Sequence, residues 1–404
     1  MKIAMVSEHA SPLARVGGPD AGGRSVYVNE LARAIARKGH HVTVYTRRDD
    51  PALEDRVRMG RSVAVEHLPG GPPRTLSDNE LLPHLGEFSG SLATRLGKEG
   101  PDLIHAHAWM SGVAALGANR ELNVPVVQTF HGLGAVEHRM SGSAADPAPR
   151  IRMEAALGRS VDAVLATCSD EIFELARMGV PRERADLVPC GVDVDLFAPE
   201  GTASAAWPVD AGLRLLTLGR LMPSKGIDRL ISAIRGLPAA HLVVAGGPAG
   251  DEVLLDPEVR RLQLLAKEYG VSERVQFIGH VQRKEVPRLI RAADVVVCPA
   301  TYEGCGLVPL EAMACGVPVV ATAVGSVADS VVDGTTGELI PPDDTEALAA
   351  ALRRLATDPT RRTAYGIAGV DRVRSRYSWE RVAEETLAAY DTVVGDRRPV
   401  AAGR

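Results

Sequence analysis

Residues 294–322, DVVVCPATYEGCGLVPLEAMACGVPVVAT, read as a buried strand, a glycine turn, a helix and a second buried strand. The turn carries Glu303, Gly304 and Gly306, and Glu311 opens the helix-forming EAMAC. Glycine lets a ligand approach the backbone, and a helix start offers unpaired amide N–H groups to an anion. Two carboxylates beside an anion site fit together if one ligand has a phosphate end and a hydroxyl-rich end. A nucleotide sugar is such a ligand, although a turn with two solvated acids would show the same spacing.

The alternation extends in both directions. KIAMVS (2–7) reads as the first strand, VGGPDAGGRSVYVNELARAIARKGH (16–40) as a glycine loop and helix with Gly17, Gly18, Gly22 and Gly23 ahead of the apolar face, and HVTVYTR (41–47) as the next strand. Strands follow at 63–68, 102–107, 124–131 and AVLAT (163–167), with helices near 80–98, 110–120, 150–160 and 170–178. EHRMSGSAADPAPR (137–150) reads as a flexible small-residue loop. A second alternation begins at LRLLTLGRL (213–221) and continues through HLVVAGG (241–247) and VQFIG (275–279), and helix signals dominate 344–395. The stretch from Pro199 to Pro208 has linker composition. The pattern predicts an α/β protein of two Rossmann-like domains, 1–198 and 209–375, facing a cleft. Ligands in such sheets sit at the carboxyl ends of strands.

Composition narrows the partners. The chain has 404 residues, 24% of them charged, and a net charge of −5, which excludes a basic nucleic-acid footprint and an acidic tail. Five cysteines without metal-ligand spacing read as free thiols in a reducing compartment. MKIAMVSEH is broken by Glu8 and His9, and no run approaches about eighteen apolar residues, so the expectation is a soluble, cytoplasmic protein without a transmembrane segment.

GRLMPSKG places Arg220 and Lys225 just past the strand LLTL, where a guanidinium and an ammonium could clamp a diphosphate. Basic loop residues are usually solvated, but together with the helix start near Gly306 they make a pyrophosphate site. Asp193 and Asp195 in GVDVDLF fall at the end of the first alternation and read as structural, so no obligatory metal or cofactor is expected.

YEGCGLVPLEAMACGVPVVAT, the GRL and SKG turn, TFHGLG and the paired-glycine loop together resemble the retaining GT-B glycosyltransferases of family four, nearest the mycothiol glycosyltransferase and sucrose-phosphate synthase branches. The likeness runs from Lys2 to about Tyr390. It implies that Glu311 receives the nucleotide ribose, that Glu303 receives the donor-sugar hydroxyls, and that the backbone of Gly304, Cys305, Gly306, Leu307 and Val308, with Gly23, meets sugar and diphosphate. Arg220 and Lys225 would neutralise the departing diphosphate, Arg283 would lie near the base, and His131 near the anomeric carbon. Asp20, Gly22, Ser25, Arg150 and Arg152 would line the acceptor site, and a C-terminal helix, 376–396, would return to the first domain.

The implied reaction moves a hexosyl group from a UDP- or GDP-sugar to a small-molecule acceptor without a protein nucleophile, in specialised-metabolite or low-molecular-weight thiol biosynthesis. A homodimer is left open. Ser25 stands where the look-alikes usually have asparagine, Asp78 or Asn79 where a phosphate-holding lysine is expected, and Cys305 where a bulky aromatic is common. Arg74, Arg150 and Arg152 remain to supply charge, so an unphosphorylated or differently charged acceptor is expected. His105 reads as a buried partner of the backbone. A nucleotide-sugar epimerase of the same build and a non-catalytic sugar-binding protein stay open. A dinucleotide oxidoreductase fits less well, because GGPDAGG lacks the G-x-G-x-x-G spacing.

Overall fold

The computed structural model describes residues 1–14, 22–141 and 147–397. These divide into two compact units, one drawing on the chain up to Pro189 and again from Trp379, the other on Cys190–Ser378.

The first unit is built on β1 (Lys2–Val6), β2 (His41–Arg47), β3 (Arg56–Arg58), β4 (Val63–Leu68), β5 (Leu103–His107), β6 (Val126–Thr129), β7 (Ala163–Ala166) and β8 (Ala185–Leu187). They form one sheet in the order β3-β4-β2-β1-β5-β6-β7-β8, parallel except for β3 against β4. β1 is central: Val6 pairs with Tyr45 of β2 on one side and with Ala106 of β5 on the other. The chain therefore reverses its direction of travel across the sheet between β1 and β5, the kind of switch point at which α/β sheets open a crevice. Helix Leu85–Glu99 shows why the core forms: Leu85, Phe88, Leu92 and Leu96 recur at helical spacing, all are buried, and Gly100 in the left-handed region ends the helix. Each such side chain stabilises the fold by about 1.5–3 kcal/mol.

The second unit repeats the plan with β9 (Leu213–Leu218), β10 (Ala240–Ala245), β11 (Val275–Gly279), β12 (Val295–Cys298), β13 (Val319–Thr322) and β14 (Gly337–Ile340). The order is β11-β10-β9-β12-β13-β14, with its reversal between β9 and β12. All pairings are parallel. Leu230, Ile231 and Ile234 on one face meet Leu348, Leu352 and Leu355 in a single core with the strands. The stretch around 199–208 packs on this unit, where Trp207 is buried and its indole N–H donates to the His241 carbonyl.

The C-terminal helix, Trp379–Arg397, belongs to the first unit and lies against helix Gly23–Arg37. Trp379 and Tyr390 are buried, whereas the ion pairs Arg37–Glu380 and Lys38–Glu384 are exposed or half-exposed. Exposed pairs contribute about 0–1 kcal/mol, so the aromatic anchors hold this helix in place.

One expectation is corrected. Most of the segment read as a loop from 137 to 150 is helical at both ends, in Gly134–Ser141 and Ala148–Ser160, with 142–146 outside the described residues. The cause is tertiary. The fully buried Glu154 carboxylate accepts the Gly134 N–H at 2.9 Å and so satisfies the first turn of a helix that its small residues would not announce. None of the five cysteines is in a disulfide, and among the described residues no helix is long and apolar enough to cross a membrane.

Candidate active site

At the switch point of the second sheet, two loops are locked together. The loop after β9 crosses the one after β10 so closely that a Cβ on Gly246 would lie 1.8 Å from the Gly219 carbonyl oxygen. Further along, Gly226 (φ 66°) closes the Pro223–Lys225 turn, and a Cβ there would lie 2.1 Å from the Pro299 carbonyl oxygen after β12. Only glycine permits either approach. The Thr301 N–H donates to Ser224 O at 2.9 Å and Arg229 Nη2 to Pro299 O at 2.7 Å, which fixes one loop against the other.

Lys225 Nζ consequently donates to Glu303 Oε2 at 2.5 Å. Glu303 is held from behind by its own carbonyl, which accepts from Ser326 N–H and Ser326 Oγ, both at 3.2 Å. Arg220, at the end of β9, is exposed and pairs with no carboxylate among the described residues. Together with Gly219, Cys298 and Val308, these side chains line one hollow. Burial pushes the Cys298 thiol well up, which disfavours the thiolate.

Helix Leu307–Ala314 leaves the hollow after Gly306 (φ 61°), with no side-chain cap and no acidic residue in its first turn. Its start is electrostatically positive. Glu311, one turn on, is 3% exposed and accepts from Arg283 Nη1 through Oε1. The Arg283 guanidinium carbon in turn sits 4.5 Å from the centre of the Phe197 ring. Burial raises the Glu311 pKa, and Arg283 opposes the rise. The arrangement offers a carboxylate with one oxygen held by arginine and the other available to a diol, beside cations and helix amides suited to a diphosphate.

In the first unit a second polar cluster sits at the ends of β5 and β6. Two non-glycine residues there have positive φ: Ala108 (φ 75°, ψ 161°) and His131 (φ 60°). Strain of this kind costs of order 1–3 kcal/mol and gathers at functional sites. His107 Nδ1 and His131 Nε2 share a hydrogen bond of 3.0 Å, and the outer nitrogens, His107 Nε2 and His131 Nδ1, are buried without a partner among the described residues. Tyr27 packs edge-on against His131, with ring centres 4.8 Å apart, and against Trp379. Burial, then nearby histidines and Arg24, depress both histidine pKa values far below the usual range, so both rings are neutral.

The model for glycosyltransferase family 4 matches residues 21–196 and that for the group 1 glycosyl transferases matches 209–372. The chain is 36% identical to the D-inositol 3-phosphate glycosyltransferase of Kribbella flavida, over 97% of this chain and 95% of that one. The chain belongs to glycosyltransferase family 4. The namesake enzyme of Xylanimonas cellulosilytica is 37% identical over 98% of each chain. Among solved structures, sucrose-phosphate synthase from Thermosynechococcus elongatus is 32% identical, with a TM-score of 0.89 over 98% of this chain and 99% of that one. The Anabaena protein HepE, solved with UDP and glucose, shares the fold at 21% identity and a TM-score of 0.73, over 97% of this chain and 100% of that one.

Family 4 is a retaining family with the GT-B architecture of two Rossmann-like sheets, which is the fold read from the sequence. In this glycosyltransferase Arg220, Lys225, Glu303 and Val308 share the hollow of the second unit, and Glu311 and Arg283 form a pair on the same helix and the neighbouring β11 loop. Gly304, Cys305 and Leu307 lie on the same turn and helix start, each partly exposed.

The first-unit residues divide differently. Gly22 caps and Gly23 begins helix Gly23–Arg37, Ser25 is 2% exposed with its hydroxyl unpartnered among the described residues, and Asp20 lies outside the described residues. Arg150 is committed internally, to Glu154 (2.7 Å), Glu137 (2.7 Å) and the Gly132 carbonyl (3.3 Å). Arg152, two residues on, is exposed. Asp193 caps its own turn, accepting from the Asp195 and Leu196 N–H groups, each at 3.0 Å.

His105 corrects the sequence reading. It bonds side chains, Tyr390 OH at 2.6 Å and Thr129 Oγ1 at 2.9 Å, and not the backbone. Sequence reasoning missed Tyr27, Thr129, Trp379 and Tyr390 as supports of the histidine cluster: Tyr27, Trp379 and Tyr390 reach it from distant elements, and Thr129 reaches His105 only through the pairing of β6 with β5.

Burying neutral histidines has a consequence for stability. Burial lowers the His105 pKa to about 3 and the other two lie well below their usual value, so the unfolded chain binds protons that the folded chain refuses. Their contribution is fully present above about pH 6.5 and is lost as pH falls, at about 1.4 kcal/mol per pH unit for each histidine. Glu171, pushed up to about 7 by burial, works in the opposite sense. Urea unfolding at stepped pH should therefore give a shallower acid slope for His105→Gln than for the native chain. Equal slopes would show that His105 takes up its proton in the folded state.

Proposed function

We propose that this chain transfers a hexosyl group, with retention of anomeric configuration, from a UDP- or GDP-sugar to a small hydroxylated acceptor. The observation that carries the proposal is the pairing of Lys225 with Glu303 and of Arg283 with Glu311 around a helix start at the switch point of the second sheet. On this reading the residues near 1–198 serve the acceptor, 209–375 bind the donor, and 376–396 brace the acceptor domain.

Glu311 accepts from the ribose diol, Arg283 lies by the base, and Glu303 accepts from the sugar hydroxyls. As the bond between the anomeric carbon and the diphosphate oxygen breaks, its electron pair leaves with the diphosphate. Arg220, Lys225 and the helix amides stabilise that charge, an effect worth several kcal/mol when the donors are already in place. The acceptor oxygen bonds to the anomeric carbon on the same face, and its proton passes to the departing phosphate. Neutral His131 acts on the donor sugar by hydrogen bonding. No metal and no covalent protein intermediate takes part.

The UDP and glucose of the HepE structure favour a UDP-sugar donor, and the acceptor is read, from the sequence resemblance, as one of low-molecular-weight thiol or specialised-metabolite synthesis. Ser25, with Asp78 or Asn79, argues for an acceptor other than inositol phosphate, bound near Gly22, Ser25, Arg152 and Arg150 once the last is released from its carboxylates. A panel of UDP-, GDP- and ADP-sugars, scored by thermal stabilisation and then by acceptor-dependent nucleotide release in EDTA, tests the reading. Stabilisation by one donor class with metal-free, acceptor-dependent release supports it. Nucleotide release without any acceptor would favour the epimerase, and binding without turnover a sugar-binding protein.

A further inference from the structure

By the start of helix Gly23–Arg37 runs a chain of polar groups, buried at Ser111 and Glu8 and half-buried at His9 and Arg24, that the proposed reaction does not use. Glu8, 1% exposed at the end of β1, accepts from Ser111 Oγ, and its N–H donates to that oxygen at 3.1 Å. Its Oε1 lies 2.6 Å from His9 Nδ1, and His9 Nε2 lies 2.7 Å from Arg24 Nη1. Arginine can only donate, so His9 Nε2 accepts and His9 Nδ1–H donates to Glu8. The histidine thereby bridges the carboxylate and the guanidinium. Burial opposes the Glu8 charge, but His9, Ser111 and Arg24 together hold its carboxyl below the usual range. One end of the guanidinium is fixed, and its Nε–H is buried without a partner among the described residues.

The histidines on which the Arg24 charge acts belong to a polar, under-satisfied cluster. Tyr27, three residues on and so on the same helix face, packs against His131 and His107. Ser25 Oγ, His107 Nε2 and His131 Nδ1 are buried and lack partners among the described residues. The two histidines share one proton along their mutual bond, so whichever ring donates, one of the outer nitrogens carries an N–H. The 15-residue helix starts with neither a side-chain cap nor an acidic residue in its first turn, which adds a positive end. Donors thus dominate: guanidinium, hydroxyl, imidazole N–H and helix amides.

From this set we propose that Arg24 is the specificity-determining residue of the acceptor site, taking an oxyanion of the acceptor, a carboxylate or a phosphate, while Glu8 and His9 position it. This rests on the proposed transfer reaction for the word acceptor, but not for the anion site itself. Two readouts separate them. In the first, the full chain saturated with UDP is melted with malonate, inorganic phosphate or chloride at equal ionic strength. The native chain should be stabilised by malonate or phosphate beyond chloride, Arg24→Met should lose that increment, and Arg24→Lys should keep part of it. The larger of the two effects identifies the oxyanion. In the second, nucleotide release is compared for matched acceptors, myo-inositol with myo-inositol 3-phosphate and glycerol with glycerate. The anionic member should be preferred by about ten- to a hundredfold in kcat/KM, lost through KM in Arg24→Met, with UDP binding unchanged. Anion stabilisation that depends on Arg24 in a chain that transfers no sugar would remove the transfer reading and leave the anion site standing. Sugar transfer with a charge preference and anion stabilisation untouched by Arg24→Met would overturn the inference.

Discussion

Glu311→Ala weakens nucleotide-sugar binding by about ten- to a hundredfold, the worth of one or two hydrogen bonds to a charged group. Glu311 is buried and half-occupied by Arg283, so only one carboxylate oxygen remains for a ribose diol. Alanine removes both the ligand contact and the partner of Arg283. Breaking a buried pair costs about 3–5 kcal/mol in stability, and Arg283, 25% exposed, recovers part of that from water and from the Phe197 ring. Glu311→Gln keeps the shape and one acceptor and should fall between the two. Titration calorimetry with UDP and with the UDP-sugar, after circular dichroism has established folding, reads the effect. A folded Glu311→Ala that binds UDP as tightly as the native chain would remove Glu311 from the donor site.

Lys225→Ala acts on the other axis. The lysine meets charge that grows as the diphosphate departs, so its loss should lower kcat by about a hundred- to a thousandfold while donor affinity changes only a few-fold. In the free protein Lys225 is spent on Glu303, and the same substitution leaves that carboxylate without its cation. Glu303→Gln is therefore the matching control. If Lys225 serves only to hold Glu303, Lys225→Ala and Glu303→Gln will show the same KM and kcat; if it serves the diphosphate, Lys225→Ala alone will slow single-turnover transfer. Unchanged single-turnover rates in Lys225→Ala would exclude it from catalysis.

Much of the fold could be read from local pattern. Unbroken apolar runs such as Val295, Val296 and Val297 are covered on both faces, and glycine-rich turns follow them where the sheet reverses. Glycines at 226, 246 and 306 stand where a side chain would collide or the backbone is left-handed, so sequence and geometry agree residue by residue there. The helix Gly134–Ser141 was not readable, because its first N–H is satisfied by Glu154, 20 residues away. Nor was the support of His105 by Tyr390, 285 residues away.

The sequence by itself determined the alternation of strand and helix, the position of the ligand-facing turns and family membership, since these depend on periodicity and backbone sterics within a few neighbouring residues. Tertiary structure decided the rest: that Lys225 meets Glu303 across 78 residues, that Arg283 closes on Glu311, that Arg150 is spent on its own carboxylates, and that Arg24 is aimed by His9. A charge acquires its partner, its burial and its protonation state from whichever strand ends the sheet order brings together, and no local spacing records that order.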